Sequence, residues 1–321
     1  MIVTSAEQWA EPSETAGLDT FRLAWRQLWA QRKPEEWIVA PLLPARRLVA
    51  LYSPPKLGKS LLMLELAAAI SIGCEVLGYS TSRRRVLYVD FENDPDQDVR
   101  VRLEAMGYAP HQLDDLVYLS FPMLADLDRP DGGRELVKYA IAQKCDVVIV
   151  DTVSRSVGGG ENDNDTWLMF YRFTGLLLKQ AGISLVRLDH TGKDASKGQR
   201  GGSAKSGDVD AVWSLQAGGS PETVRLTCEA ARFPIVTKDL VLARRTNPLR
   251  HDVINSSDSP GAAELIAELE RLGIDPKWGK DKAGRALRQA GIKAGDNAIV
   301  AAQRARRGLA EIVLHGLDDG D

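Results

Sequence analysis

The chain has 321 residues, of which 44% are hydrophobic and 26% charged, and its formal net charge at pH 7 is −3. This length suits one large domain with a small appendage, and the apolar fraction is sufficient for a buried core. The near-neutral charge excludes a polycationic protein, so any contact with nucleic acid must come from local basic patches.

Residues 1–45 are predicted to form a leader ahead of the first domain. Apolar residues recur at helical spacing over Leu18–Gln31, which predicts one helix. The N-terminus lacks a basic stretch followed by an apolar one, and the longest apolar region, Leu57–Ile72, is interrupted by Lys59 and Glu65. These features predict a cytoplasmic protein that is not associated with a membrane.

In residues 46–246, short and almost wholly apolar segments alternate with segments of helical periodicity. The predicted strands are Arg47–Tyr52, Arg85–Phe91, Leu116–Phe121, Asp146–Val150 and Ile183–Leu188. The predicted helices are Leu57–Ile72, Pro95–Met106, Gly133–Gln143 and Thr166–Gln180. This alternation predicts an α/β fold, in which a mostly parallel sheet is covered by helices on both faces.

The remainder of the chain has a different pattern. Three strand-like segments predict an antiparallel extension of the sheet: Ala211–Gln216, Thr223–Glu229 and Leu240–Arg244. Residues 247–261, with Asn-Pro, a Ser/Asp cluster and Pro-Gly, are predicted to be a linker. Residues 262–321 are predicted to form a small helical module with helices at Ala262–Leu272, Lys280–Ala290 and Asn297–Arg307.

The turn between the first predicted strand and helix is similar to a phosphate-binding loop, GxxxxGK[ST], with a serine at the first glycine position. Its residues are Ser53, Pro54, Pro55, Lys56, Leu57, Gly58, Lys59 and Ser60. Main-chain N–H groups at the start of a helix form a cradle for anions. Lys59 is predicted to reach the β- and γ-phosphates of ATP, and Ser60 to ligate Mg²⁺. The alternative is an ordinary strand–turn–helix with an exposed lysine.

Three predicted strands end in polar residues at the edge of the sheet where ligands bind in such folds. Asp151 is predicted to hold Mg²⁺ together with Ser60, although a cap or turn role is the alternative. Glu92 is the candidate general base that activates water, and Asp90 shares its side of the strand. His190 is the candidate sensor of the γ-phosphate.

Taken together, these residues resemble a known family. Residues from about 40 to 245 are similar to the RecA-like core of hexameric replicative helicases, in particular the RepA-type ATPases of plasmids and phages. The matching features are the Gly-Lys-Ser loop, the strand ending at Glu92, the strand ending at Asp151, and the stretch from Asp189 to Asp208.

The resemblance implies a helicase mechanism with residues from two subunits. It implies Glu92 as the catalytic glutamate, His190 as the sensor, and an arginine finger donated to a neighbouring subunit of a homo-oligomeric, hexameric ring. Arg232 is the first choice for this finger and Arg200 the second. Ser53, in place of the first loop glycine, and Ala230, where related helicases often carry a lysine, depart from the family pattern.

DNA contacts are predicted in two loops and in the C-terminal module. The loops are Ser154–Asp165 and Thr191–Gly207, which are polar, glycine-rich and expected to be mobile. The second loop carries the candidate residues for contacts to single-stranded or branched DNA: Lys193, Lys197, Arg200 and Lys205. Lys277–Arg307 has nine basic residues against two acidic ones, which fits a winged-helix-like DNA contact or a solvated helical cap.

Three functions remain open from the sequence. The first is an ATP-dependent DNA helicase or translocase in replication or recombination. The second is a metal-dependent, structure-specific DNA nuclease that uses Asp90, Glu92 and Asp151. The third is a nucleotide-gated DNA-binding or loading protein with little hydrolysis.

Overall fold

A computed structural model describes residues 21–30, 35–160, 163–191, 207–235, 237–254 and 260–292, together with residues 294, 299, 302, 303 and 306. Its contacts divide the chain into two units, Met1–Glu36 and Trp37–Asp321. In the first unit, the helix α1 spans Trp25–Ala30 and has no buried residue. The helix predicted over Leu18–Gln31 is therefore shorter at its start, since residues 21–24 are not helical.

The second unit is built on a nine-stranded sheet with the order β11-β10-β9-β8-β3-β7-β6-β4-β5. Its parallel strands are β3 (Leu48–Ser53), β4 (Val86–Asp90), β5 (Leu116–Ser120), β6 (Val147–Asp151), β7 (Ser184–His190) and β8 (Ala211–Ala217). The antiparallel strands are β9 (Thr223–Ala231), β10 (Asp239–Thr246) and β11 (Leu249–Val253). Two short strands, β1 (Trp37–Val39) and β2 (Leu43–Pro44), form a separate antiparallel pair.

Helices cover both faces of this sheet, which confirms the predicted RecA-like α/β fold. One face carries α2 (Lys59–Ile72), and the other carries α4 (Pro130–Ala142), α5 (Asn164–Phe170) and α6 (Leu176–Gln180). A π-helical segment, Tyr171–Gly175, joins α5 to α6. The central strands are buried on both faces because both are covered, so their sequences read as apolar runs rather than alternating ones.

Helix α2, which begins at the phosphate-binding loop, is buried on almost all sides. The sequence predicts an amphipathic helix, but the structure also buries the residues turned away from the sheet, including Leu64 and Ala68. They pack against Val99 and Leu103 of the segment formed by the π-helix Pro95–Arg100 and the helix α3, Val101–Ala105. This second layer holds α2 firmly between two apolar surfaces.

The predicted linker 247–261 misses the last strand of the sheet. Thr246 pairs with Leu249 across the two-residue turn Asn247-Pro248, and β11 returns antiparallel to β10. The Asn-Pro pair, which predicts the start of a linker in the sequence, marks a hairpin turn in the structure. The polar residues of β11 hide the strand from pattern analysis, because it lies at the edge of the sheet.

Two helices lie within the described part of the C-terminal region up to residue 292, α7 (Pro260–Arg271) and α8 (Lys280–Gln289). Apolar side chains from both helices, among them Leu265, Leu269 and Leu287, form a small cluster of their own. Most of the third predicted helix, Asn297–Arg307, lies outside the described residues. Among the helices of the described ranges, none is long and apolar enough to cross a membrane.

Candidate active site

Polar residues from the ends of three strands, β3, β4 and β7, and from the phosphate-binding loop line one cleft, and Asp151 at the end of β6 is buried beside it. Because β3, β4, β6 and β7 are parallel, their carboxyl ends lie at the same edge of the sheet. The cleft has a volume of about 430 Å³, within the range of small-molecule sites. Its lining residues are Ser53, Pro54, Pro55, Lys56, Gly58, Lys59, Ser60, Leu61, Glu92, Asn93, Arg102, His190 and Arg244.

The loop itself is formed differently from the glycine-first pattern. Ser53 is the last residue of β3, pairs with His190 of β7, and accepts a hydrogen bond from the main-chain N–H of Thr191 at 3.0 Å. Positive φ angles occur instead at Lys56 (63°) and Gly58 (99°). The serine at the first position therefore needs no glycine-like conformation, because it still belongs to the strand.

Lys59 is placed to neutralise negative charge in the cleft. Its side chain is only 5% exposed, and Nζ donates a hydrogen bond to the main-chain oxygen of Asp189 at 3.1 Å. The positive charge contributes to the lowered pKa of Glu92, and at Asp151 it opposes part of the rise in pKa that burial causes. A buried lysine at the start of α2 can neutralise part of the charge of a bound triphosphate.

Asp151 offers an oxygen atom suited to a metal ion. It is fully buried, its Oδ2 accepts a hydrogen bond from the hydroxyl of Tyr88 at 2.8 Å, and the nearby Ser60 side chain acts to lower its pKa. Its Oδ1 has no hydrogen-bond partner within the described part of the chain. Burial raises the pKa of Asp151 to about 6. The free carboxylate oxygen beside the Ser60 hydroxyl fits Mg²⁺, which prefers oxygen ligands.

Glu92 has the environment of an ionised general base. Its Oε1 accepts a hydrogen bond from Thr152 Oγ1 at 3.0 Å, with Arg155 Nε at 3.4 Å and His190 Nε2 at 3.9 Å. The contact with His190, followed by those with Thr152 and Lys59, lowers the pKa of Glu92 to about 2 despite its partial burial. Nδ1 of His190 is buried and has no hydrogen-bond partner among the residues described.

Asp90 holds the main chain around Glu92 and is not available to a metal. Its fully buried carboxylate accepts hydrogen bonds from the main-chain N–H groups of Glu92 (2.8 Å) and Asn93 (3.0 Å). It also accepts hydrogen bonds from the side chains of Asn93 and Tyr118. A nuclease that used Asp90 as a metal ligand would have to break these bonds, so the structure argues against this role.

Comparison with protein families agrees with this geometry. A family model described as an AAA domain matches residues 12–196, more than half of the chain. The chain belongs to this AAA family. Its domain is of the P-loop ATPase type, which binds and hydrolyses nucleotides, usually with Mg²⁺. No curated protein matches the chain.

Two stacked tyrosines support the carboxylates of this AAA domain. The rings of Tyr88 and Tyr118 lie 4.9 Å apart at an interplanar angle of 10°. Burial and the nearby carboxylates raise the pKa values of both phenols well above the usual value, so both stay protonated and donate. One donates to Asp151 and the other to Asp90, so the pair positions two strand ends of the site at once.

A buried ion-pair group joins the two ends of the segment 192–206. Arg187 of β7 is 1% exposed, and its guanidinium contacts Asp189 at 3.2 Å and Asp208 at 3.0 Å. The same guanidinium lies over the ring of Trp167, 5.1 Å from its centroid. The chain therefore leaves the sheet beside His190 and returns to it at a fixed position.

Several predicted site residues are not part of the cleft. Arg232 is exposed and follows Ala231, which pairs with Ala211, while Ala211 pairs with Val49 near the start of β3. Arg232 therefore lies toward the end of the sheet opposite Ser53 and is not placed at its own cleft. Other predicted contacts lie outside the described residues: Lys193, Lys197, Arg200 and Lys205.

The loop that follows Asp151 is held in place where the structure describes it. The main-chain N–H groups of Gly158 and Gly159 donate to the carboxylate of Asp128 at 2.9 and 3.1 Å. An added Cβ at Gly158 would lie 2.2 Å from Asp126 Oδ2, so the glycine permits this close packing. The first half of the loop predicted over Ser154–Asp165 is thus bound to an aspartate that is distant in the sequence, which the sequence pattern does not predict.

Four residues that line the cleft were not predicted from the sequence: the apolar Leu61 and the polar Asn93, Arg102 and Arg244. Asn93 and Arg102 hydrogen-bond to each other at 2.9 Å. Arg244 comes from β10, far along the chain from the phosphate-binding loop. No local motif marks the three polar residues, because only the packing of the sheet and of α3 brings them to the site.

Proposed function

We propose that this AAA-domain protein is an ATP-dependent DNA helicase or translocase of the RepA type, acting in DNA replication or recombination. The observation that carries the proposal is the position of Glu92. It lies at the end of β4, next to β6 with Asp151, and it contacts His190 at the end of β7. This is the arrangement of base and sensor implied by the resemblance to hexameric helicases.

The chemistry that we propose for the cleft is hydrolysis of ATP. The phosphates bind the main-chain N–H groups of the loop and Lys59, and Ser60 and Asp151 hold Mg²⁺, which neutralises phosphate charge when bound. The ionised Glu92 orients the attacking water and accepts its proton. Thr152 and His190 hold Glu92 in position for this step.

The coupling to DNA is proposed to run through His190. Its neighbour Thr191 hydrogen-bonds to Ser53 at the phosphate-binding loop, and the residues that follow carry Lys193, Lys197, Arg200 and Lys205. A change at the phosphates would therefore act on the base of the segment to which we assign contacts with single-stranded or branched DNA. The C-terminal module, residues 262–321, is proposed as a second contact through its basic middle part, Lys277–Arg307.

We further propose a homo-oligomeric, hexameric ring in the cytoplasm. Arg232 is exposed and lies away from its own cleft, which is compatible with a finger that reaches the cleft of a neighbouring subunit. In such a ring, an Arg232→Ala subunit mixed with wild type would lower hydrolysis at the neighbour's site rather than at its own.

The test is ATP hydrolysis with and without single-stranded DNA, for the wild type, Lys59→Ala and Glu92→Gln. We expect DNA to stimulate the wild type and both variants to lose turnover, while Glu92→Gln retains ATP affinity. The exposed Lys138→Ala is the control for loss of a lysine. Equal turnover in all variants would contradict the proposal, and tight binding with DNA-insensitive turnover would favour the loading protein instead.

A further inference from the structure

We propose that Arg244 is a positioning residue of the nucleotide site, which fixes the phosphate-binding loop from the antiparallel part of the sheet. The inference rests on the proposed binding of ATP to that loop. It adds to the loop a residue that lies beyond the region matched by the AAA family model, residues 12–196. Arg244 also lines the cleft itself.

The contact is between a charged side chain and the main chain of the loop. Nη2 of Arg244 donates a hydrogen bond to the main-chain oxygen of Leu57 at 2.9 Å. In a trans peptide unit, the carbonyl and the N–H of the next residue point in opposite directions. By binding the Leu57 oxygen, Arg244 fixes the orientation of the peptide unit between Leu57 and Gly58, whose N–H belongs to the proposed anion cradle.

Gly58 is adapted to this contact. A Cβ atom at position 58 would lie 2.3 Å from Nη2 of Arg244, so a side chain there would push the guanidinium away from its contact with the loop. Its φ of 99° lies in the region that favours glycine. The glycine of the Gly-Lys-Ser sequence is therefore required both by the turn and by the arginine that packs on it.

The guanidinium keeps donor capacity after binding Leu57. Its Nε is buried and has no hydrogen-bond partner in the ranges that the structure describes. An arginine offers five N–H donors in a planar fork, which suits phosphate oxygens. Arg244 therefore brings a positive charge to the same cleft that contains Lys59, and its Nε has no partner within the described residues.

The strand that carries Arg244 is anchored to the helix that follows the loop. The main-chain N–H and Nδ1 of His251 in β11 contact the carboxylate of Glu65 in α2, at 3.0 Å and 2.6 Å, and both side chains are buried. The main-chain N–H of Arg244 also donates to the oxygen of Glu222 at 2.8 Å. These contacts fix the β10–β11 hairpin relative to α2, so Arg244 has little freedom to leave the loop.

The experiment measures ATP and ADP dissociation constants and steady-state hydrolysis for the wild type, Arg244→Gln and Arg244→Lys. Arg245→Gln is the matched control, because Arg245 is the exposed neighbour bound to Asp252 at 2.8 Å. We expect Arg244→Gln to raise the dissociation constants of both nucleotides by roughly 10- to 100-fold, the size expected for loss of a charged hydrogen bond. We expect Arg244→Lys to lose less nucleotide affinity than Arg244→Gln does. Arg245→Gln should change the affinity by less than about 2-fold.

The kinetic pattern separates positioning from a general loss of structure. Loss of positioning raises KM for ATP while kcat at saturation stays within a few fold of the wild type, whereas partial unfolding lowers kcat without raising KM. If Arg244→Gln does not fold, Arg244→Lys provides the same comparison. Wild-type affinity in both folded variants would overturn the inference alone. Failure of the wild type to bind ATP would overturn the proposed function.

Discussion

Replacement of Tyr118 by phenylalanine tests how the carboxylates of the site are held. The change removes one donor from the buried carboxylate of Asp90 and leaves the ring stacked on Tyr88. A hydrogen bond to a charged group contributes about 1.5–3 kcal/mol to the free energy of unfolding. In a domain of this size, we therefore expect Tm to fall by roughly 3–10 °C.

The same change should also affect turnover, because Asp90 Oδ1 binds the main-chain N–H of Glu92 at 2.8 Å. If half of that energy holds Glu92 in its reactive position, kcat falls by roughly 3- to 10-fold. KM for ATP should stay unchanged, since Tyr118 does not line the nucleotide cleft. The assays are thermal denaturation followed by circular dichroism and steady-state ATP hydrolysis.

A matched control is Tyr139→Phe, because Tyr139 is 36% exposed and lies on α4, away from the site. We expect this variant to change the free energy of unfolding by less than about 0.5 kcal/mol. A Tyr118→Phe protein with the Tm and kcat of the wild type would refute the positioning role of the tyrosine pair.

Three further variants have defined outcomes. Gly58→Ala should raise the dissociation constant for ATP by more than about 10-fold, measured by titration calorimetry, because the added Cβ meets Arg244; unchanged affinity would contradict the close packing. Arg187→Met leaves the carboxylates of Asp189 and Asp208 buried without their cation. The free energy of unfolding, measured by urea denaturation, should therefore fall by about 3–5 kcal/mol. An unchanged midpoint would be inconsistent with the buried ion pairs. Asp128→Ala should release the loop around Gly158 and Gly159, so that the amides of this loop exchange with deuterium faster than in the wild type. Equal exchange rates would show that Asp128 does not hold the loop.

The elements that could be predicted from the sequence are those whose residues alone, without contacts to distant parts of the chain, indicate the structure. The central strands are buried on both faces, so Val147–Asp151 and Leu48–Ser53 appear as continuous apolar runs. The Gly-Lys-Ser sequence between a strand and a helix locates the loop, and the polar residues that end neighbouring parallel strands locate Glu92 and Asp151.

The features that escaped prediction depend on contacts between distant parts of the chain. The role of Asp90 as a main-chain acceptor follows from where Tyr118 and Glu92 lie in space, so its sequence position suggested a metal ligand instead. Arg244 reaches the loop only because β10 and β11 extend the sheet past β8. The edge strand β11 carries charged residues at the positions that pattern analysis reads as a linker.

The most direct test of the account is a crystal structure of the Glu92→Gln protein with ATP and Mg²⁺. We predict that the phosphates lie on the main-chain N–H groups between Lys56 and Ser60, with the metal ion bound by Ser60 and Asp151 and the γ-phosphate beside His190. A nucleotide bound elsewhere, or a metal ion that contacts neither Ser60 nor Asp151, would contradict the assignment of this cleft.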